Sequence, residues 1–282
     1  MDLKTFRSNS QHNEDGLLLW IFNNIPDCGK YCVEFGAWDG IFLSNTFNLI
    51  ANHGWTGVLI EGDKKRAEAL QLNYPHKERI KAINKFVGWS SQDSLDFILS
   101  EQGTPFNFDL LSIDIDGNDY HIWKSLSKFK PKVVVIEFNS EIPNDIEFIQ
   151  KADPNVFHGT SLKSMTILAK KKGYELVAVT VTNAFFVDAT YYSRMGIGDN
   201  SIDVINPQKA FPRVYQLYDG TVVLTEGFTL RWPNIEVGTY DLQRLPYFFR
   251  DRKANLIKKI IRRLFNKLLL KILVGESQNS PK

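Results

Sequence analysis

The chain has 282 residues, 43% of them apolar, a formal net charge of +2 and only two cysteines, Cys28 and Cys32. That is enough material for one substantial core and a small appendage, and too little cysteine for a disulfide framework or a four-thiolate zinc site. Two free thiols of a reducing compartment are the expectation; Met1–Ser10 is polar and lacks the apolar centre of a secretory leader, and no run of eighteen apolar residues is present to cross a membrane.

The first predicted element is a helix through Leu17-Leu18-Leu19-Trp20-Ile21-Phe22, opened by Ser10-Gln11-His12-Asn13-Glu14-Asp15-Gly16. Acids in a first turn suit the positive end of a helix. Tyr31-Cys32-Val33 then reads as the end of a buried strand, followed by Glu34-Phe35-Gly36-Ala37-Trp38-Asp39-Gly40 and by a helix over 41–53. Gly36 and Gly40 allow the backbone to turn tightly and to approach a ligand. A second apolar run, 57–60, ends in Glu61-Gly62-Asp63. An acid at the end of the second strand commonly holds the two ribose hydroxyls of a nucleoside. Strand, glycine turn, helix, strand and acid together make a nucleoside-binding half-fold.

Further along, 64–72 reads as a helix, 80–87 as a third strand and 91–101 as another helix. A fourth strand runs into Ile113-Asp114-Ile115-Asp116-Gly117-Asn118-Asp119-Tyr120-His121, and a fifth, Val133-Val134-Val135-Ile136, into Glu137-Phe138-Asn139. A helix over 159–172 stops at Gly173, and strands at 174–179 and 184–187, separated by a short polar break, suit a hairpin. Such alternation predicts an α/β fold: a doubly wound, mostly parallel sheet covered on both faces and closed by an antiparallel strand. Four strand ends carry acids (Glu34, Glu61, Asp114 with Asp116, and Glu137), where open parallel sheets bind ligands. Any one of them alone could be a helix cap.

This pattern resembles the class I S-adenosylmethionine-dependent methyltransferases, in particular the FkbM-like family, over residues of roughly 10–188. Glu34, Gly36 and Gly40 match that family's first motif, Glu61 its second-strand acid, and Asp114-Ile115-Asp116-Gly117 its D-x-E/D-G signature, with Asp116 where many relatives have Glu. The resemblance implies S-adenosylmethionine as cofactor, held by Glu34, Gly36, Ala37, Asp39, Gly40, Glu61, Gly62, Asp63 and Asp114. It also implies methyl transfer, and an acceptor hydroxyl on a sugar, glycolipid or polysaccharide precursor. The Ser10–Gly16 stretch has a counterpart in these relatives and is expected to lie over the cofactor or simply to cap the helix. A dehydrogenase would show G-x-G-x-x-G; this chain does not, so a nucleotide-dependent oxidoreductase is the lesser alternative. A non-catalytic, membrane-docking module with the same fold is another.

Asp114 and Asp116 share a face if their strand stays regular, and two close carboxylates repel unless a proton or cation lies between them. A magnesium ion bound by Asp114, Asp116, Glu137 and Asn139 would satisfy them; the alternative has one Asp meeting the sulfonium and the others capping helices. A sugar hydroxyl needs a base. The candidates for catalysis are therefore Asp114, Asp116 and His121, with His121 the expected base and Asp116 the alternative.

Residues 190–249 abandon the alternation and concentrate aromatics, among them Tyr191, Tyr192, Phe211, Tyr215, Phe228 and Trp232. They are expected either to cover the site with stacking faces or to form a small satellite core. Beyond them, nine basic residues between Arg250 and Leu273 face one acid, Asp251, giving +8 and leaving about −6 for the remainder. Apolar pairs recur every four residues, from Leu256-Ile257 to Ile272-Leu273, with Lys258-Lys259 and Arg262-Arg263 between them. This predicts a basic amphipathic helix suited to an anionic membrane surface through 253–273. Packing on protein explains its apolar face but not its charge, and the acidic body argues against nucleic acid. The organisation expected is thus a cofactor-binding domain, 1–189, an aromatic appendage, 190–249, and a basic helix and tail, 250–282, in a cytoplasmic protein that is peripheral on the inner membrane face. Nothing in the sequence fixes its oligomeric state.

Overall fold

The computed structural model describes residues 8–207 except 77, 211–243 except 219 and 231–233, and residues 260, 261, 263 and 264. The chain divides into two units, with the boundary between residues 208 and 209.

The first unit is built on seven strands: β1 (Tyr31–Phe35), β2 (Thr56–Glu61), β3 (Ile80–Asn84), β4 (Leu110–Ile113), β5 (Val133–Glu137), β6 (Tyr174–Val179) and β7 (Asn183–Asp188). They lie in the order β3-β2-β1-β4-β5-β7-β6. The pairs among β1 to β5 are parallel, and β7 runs antiparallel to both β5 and β6. This is a doubly wound, Rossmann-like sheet with the antiparallel hairpin that the sequence pattern predicts. Its central strands are buried on both faces, which is why they read as unbroken apolar runs.

One face carries α1 (Glu14–Asn24), α2 (Phe47–His53) and α3 (Lys64–Asn73). Leu17, Leu18, Ile21, Leu49 and Leu70 pack there with Cys32, Val133, Val135, Phe185 and Val187. The opposite face carries α4 (Leu95–Glu101), α5 (Asp119–Ser125) and α6 (Leu162–Lys171). Ile98, Ile122, Trp123 and Met165 pack there with Val33, Phe35, Ile113, Val134, Ile136 and Phe186. Alternation along each strand assigns residues to these two layers.

Several boundaries differ from the sequence pattern because long-range contacts set them. The helix expected over 41–53 starts at Phe47. Before it, Asp39 takes the backbone N–H groups of Ile41 and Phe42, Leu43 has φ 55° and bridges to Ser10. β3 stops at Asn84 rather than Val87, where Asn84 Nδ2 turns to the carbonyls of Glu61 and Gly62. The helix expected over 91–101 starts at Leu95, capped by the Ser94 hydroxyl. The first unit also extends past 189: Ala189 N–H bonds to Gly173 O, Asn200 to Glu175, and Asn206 to Asn144, tying 189–207 to it. Both cysteines are free thiols.

In the second unit, the strands β8 (Val214–Gln216) and β9 (Val222–Leu224) form one hairpin, and β10 (Phe228–Leu230) and β11 (Ile235–Val237) another. Tyr215, Tyr218, Phe228 and Tyr240 are exposed and Leu224 is buried. Of the expected basic helix only Ile260, Ile261, Arg263 and Leu264 are described. They are helical and exposed; the rest of that expectation lies outside the described residues. Among the described residues no helix is long and apolar enough to cross a membrane.

Candidate functional site

The sheet order reverses between β1 and β4, and the acids at the strand ends gather on either side of that point. Gly36 follows β1 with φ 74°, and a Cβ there would stand 1.8 Å from the Asp114 carbonyl oxygen. The close approach of the two strand exits therefore requires glycine. The turn closes through Gly40 N–H to Ala37 O at 2.7 Å, and Gly40 (φ 76°) backs onto Tyr74 and Leu70, which a Cβ would strike.

Glu61 ties this turn to the end of β2. One carboxylate oxygen accepts from Trp38 N–H at 2.9 Å, the other from Asp63 N–H at 2.7 Å. Each oxygen keeps a second lone pair, so the group can still accept two hydroxyls. Gly62 lies against the exposed ring of Phe86, 2.9 Å from where its Cβ would be, which leaves a flat apolar surface beside the acid.

The other acids around the turn have local tasks. Glu34 is buried and accepts from Ser44 Oγ (2.7 Å), Asn45 N (2.9 Å) and Thr46 Oγ1 (2.6 Å), so it orders the segment leading into α2. Burial raises its pKa, and these donors oppose the rise. Asp39 holds the Ile41 and Phe42 amides, and Asp63 caps α3 through Arg66 N–H at 3.0 Å. Trp38, at φ 51°, lies half-exposed with the Arg66 guanidinium 3.5 Å from its ring centroid and Phe42 beside it.

At the end of β4 the strand does not stay regular. It stops at Ile113, Asp116 takes φ 58° and Gly117 φ 152°. Even so, one oxygen each of Asp114, Asp116 and Glu137 lie within 4.8 Å of one another. A turn, rather than an alternating strand, brings the two aspartates together. Burial, joined by the like charges of Asp119, Asp116, Glu34 and Glu14, pushes Asp114 well above the usual carboxylate range. Asn139 is not turned to this cluster: its Nδ2 donates to His158 O and its Oδ1 accepts from Glu141 N–H.

His121 is placed differently from a free base. Its Nε2 lies 2.8 Å from Gln150 O. A carbonyl only accepts, so Nε2 carries the proton and the basic atom is Nδ1. Gln150, buried, accepts from His158 and Gly159 N–H and donates to Val156 O. His121 thereby anchors the 139–161 segment over the Gly117 turn.

Three residues that shape the site were not singled out from the sequence. Asp119 is buried and accepts from Ile115 N–H (3.0 Å) and Gly117 N–H (2.9 Å), fixing the turn that carries Asp116. Burial pushes it up to about 6. Its position after Asn118 looks like an ordinary first-turn acid, so only the turn-forming Asp-Gly could have pointed to it. Glu14 bonds Thr180 Oγ1 (2.6 Å) and Asn183 Nδ2 (3.3 Å). Asp15 collects Ser8, Asn9 and Ser10 N–H groups on one oxygen. The N-cap residue Asn13 makes no side-chain cap bond; the 10–16 stretch instead holds the first turn of α1 through Asp15 N–H to Ser10 Oγ and docks on the β6–β7 turn through Glu14.

Replacing Asp119 by Asn removes one of its two acceptors and points an NH₂ at a backbone N–H. Thermal melting of Asp119→Asn should show a loss of about 1–3 kcal/mol, or roughly 2–4 °C for each kcal/mol in a unit of this size. An unchanged melting temperature would remove Asp119 from this role.

No family model matches the chain, and no curated protein matches it. It is similar to solved structures described as TrmK of M. capricolum in complex with S-adenosyl-homocysteine (12% identity, 61% of this chain and 66% of that chain, TM-score 0.37) and a SAM dependent methyltransferase from Aquifex aeolicus (8%, 61% and 87%, TM-score 0.37). A third is the N-terminal domain of EvdMO1 with SAH bound (12%, 63% and 80%, TM-score 0.42). The chain spans just under two thirds of the TrmK chain. Likeness this remote speaks neither to substrate nor to subfamily.

Proposed function

We propose that the chain is a class I S-adenosylmethionine-dependent methyltransferase acting on a hydroxyl oxygen of a sugar, glycolipid or polysaccharide precursor. The observation that carries this reading is Glu61, seated at the end of β2 and joined by its carboxylate to the Gly36–Gly40 turn at the switch point of the sheet. A carboxylate there can accept both ribose hydroxyls in strong, charge-assisted bonds. The Phe86 face beside Gly62 suits a purine, and the acids of the β4 end suit the cationic sulfonium. When bound, the cofactor supplies an electrophilic methyl carbon and a thioether leaving group. The chain itself holds the ribose through Glu61, shapes the turn through Gly36, Gly40 and Glu34, and provides a carboxylate, Asp116, exposed enough to take a proton from an acceptor hydroxyl. His121, bonded to Gln150, is the weaker candidate for that proton, through Nδ1. Exposed Trp38 and Phe42 beside the turn offer stacking faces for a sugar. The test is transfer of a labelled methyl group to a panel of glycan and lipid-linked sugar acceptors. Label on a hydroxyl oxygen is expected; label on nitrogen or carbon alone would refute the acceptor chemistry.

Asp114, Asp116 and Glu137 are the residues that could hold a magnesium ion. Their converging oxygens are the hard donors such an ion takes, and the ion would lower the pKa of an acceptor hydroxyl.

The basic tail supports attachment to an anionic membrane on the cytoplasmic side. The eight net positive charges in residues 250–273 have no use in a buried helix, and Ile260, Ile261 and Leu264 are 49%, 43% and 62% exposed. Each basic residue near such a surface contributes about 1 kcal/mol. The full chain should sediment with phosphatidylserine vesicles and be released by salt and by charge reversal at Lys258, Lys259, Arg262 and Arg263. Equal sedimentation with neutral vesicles would contradict an electrostatic attachment.

A further inference from the structure

Asn183 carries an oxygen that has no hydrogen-bond partner among the described residues. Its side chain is 1% exposed, and its Oδ1 has no hydrogen-bond partner while its Nδ2 donates to Glu14 Oε1 at 3.3 Å. The orientation of the amide follows from chemistry. The Glu14 carboxylate oxygen is the acceptor for the Asn183 NH₂, so the carbonyl oxygen of the amide is turned away from Glu14. Buried polar atoms without partners are rare in folded proteins, and a bound ion or water is one of the explanations they call for.

The register shows which residue Asn183 stands beside. Asn183 is directly opposite Glu137 in the antiparallel β5–β7 ladder, and directly opposed residues project from the same face, with Cβ atoms about 4.5–5.5 Å apart. The layers agree: Val133 and Val135 of β5 and Phe185 and Val187 of β7 pack on the α1 side of the sheet, and Glu137 and Asn183 continue that alternation. Glu137 is one of the three acids whose oxygens converge within 4.8 Å. Among the described residues no ion pair neutralises Asp114 or Asp116.

We propose that Asn183, not Asn139, is the amide ligand of a divalent-cation site formed with Asp114, Asp116 and Glu137, with Glu14 setting the orientation of the amide. This rests on reading the three-acid cluster as a cation site. The donor set is all oxygen, three carboxylates and one carbonyl, which selects magnesium, manganese or calcium over softer metals. Asn139, by contrast, spends both ends of its amide on the loop it belongs to. β7 thereby contributes to the site a residue far in sequence from the other ligands, and α1 sets its aim.

The experiment is Mn²⁺ binding to the full chain by electron paramagnetic resonance, with thermal melting in the same buffers and S-adenosylmethionine calorimetry on the same samples. The wild type should bind Mn²⁺, and Asp116→Asn should abolish the binding. Asn183→Ala should weaken it by about 10-fold, the lower end of what losing a group around a metal typically costs, while Asn139→Ala should leave it within about twofold. Asn183→Asp is the decisive variant. As a ligand the new carboxylate should bind Mn²⁺ more tightly than wild type, and Mn²⁺ should restore the melting temperature that repulsion from Glu14 lowers. A bystander would show neither effect, and this variant carries the test if Asn183→Ala fails to fold. Wild-type affinity in Asn183→Ala, or weaker binding in Asn183→Asp, would overturn the assignment. Absence of Mn²⁺ binding in the wild type would overturn the cation site altogether, and calorimetry would then show whether the methyltransferase reading stands without it.

Discussion

Gly36→Ala is expected to cost far more stability than Gly54→Ala, although both positions require the same left-handed backbone. The φ values are 74° and 72°, so the conformational penalty of a Cβ, about 1–2 kcal/mol, is common to both. Among the described residues nothing lies within 4 Å of a Cβ added at Gly54, whereas at Gly36 that carbon would stand 1.8 Å from the Asp114 backbone oxygen. A backbone oxygen directly after a paired strand cannot rotate away as a side chain can. Relief requires β1 and β4 to part, which breaks the pairing between Phe35 and Ile113 and displaces Asp114. Gly36→Ala should therefore lose more than about 4 kcal/mol, in the exceptional range for one substitution, and Gly54→Ala about 1–2 kcal/mol. Chemical denaturation of the two variants measures the difference directly. Equal losses would mean that the strand exits are not in contact.

The second large effect is expected in cofactor affinity. Glu61→Gln keeps the shape of the side chain but replaces one acceptor oxygen by an NH₂. Glu61 now accepts from two backbone N–H groups, Trp38 and Asp63, so the variant must set donor against donor on one side. It also withdraws the negative charge from the ribose hydroxyls. A hydrogen bond to a charged group contributes about 1.5–3 kcal/mol, which corresponds to roughly 10- to 100-fold in S-adenosylmethionine affinity. Asp63→Asn, which alters only the cap of α3, should change affinity by less than about threefold, because a capping group acts within its own helix turn. Comparable losses in both variants would show that a damaged α3 start, and not the loss of a ribose ligand, causes the effect.

The sheet was legible in the sequence because β2 and β5 are covered on both faces and can only be apolar throughout. The acids at the strand ends were legible for the same reason, since a carboxylate directly after such a run stands at the rim. What the pattern could not show is which task each acid performs. Asp39 and Asp63 serve local turns, and Glu34 faces inward to Ser44, Asn45 and Thr46, a pairing across ten or more residues that no local propensity reports. Asp114 and Asp116 do meet, by way of a left-handed turn that Asp119 holds. Regular strand geometry was the wrong route to a juxtaposition that the fold creates in another way. Asn183 falls in what reads as a polar break between two strands, and Glu14 in an ordinary helix start; their connection depends on a 169-residue separation. His121 lies near the acids in sequence, but the loop from β5 engages its ring.

The central claim is that Glu61 and the Gly36–Gly40 turn hold an S-adenosyl nucleoside. Calorimetric titration of the full chain with S-adenosylmethionine, S-adenosylhomocysteine and NAD in parallel, for wild type and Glu61→Gln, tests it most directly. The account predicts micromolar binding of both sulfur compounds to the wild type, weakened roughly 10- to 100-fold by the substitution, and no tight binding of NAD. Tight NAD binding with no response to either sulfur compound would contradict it.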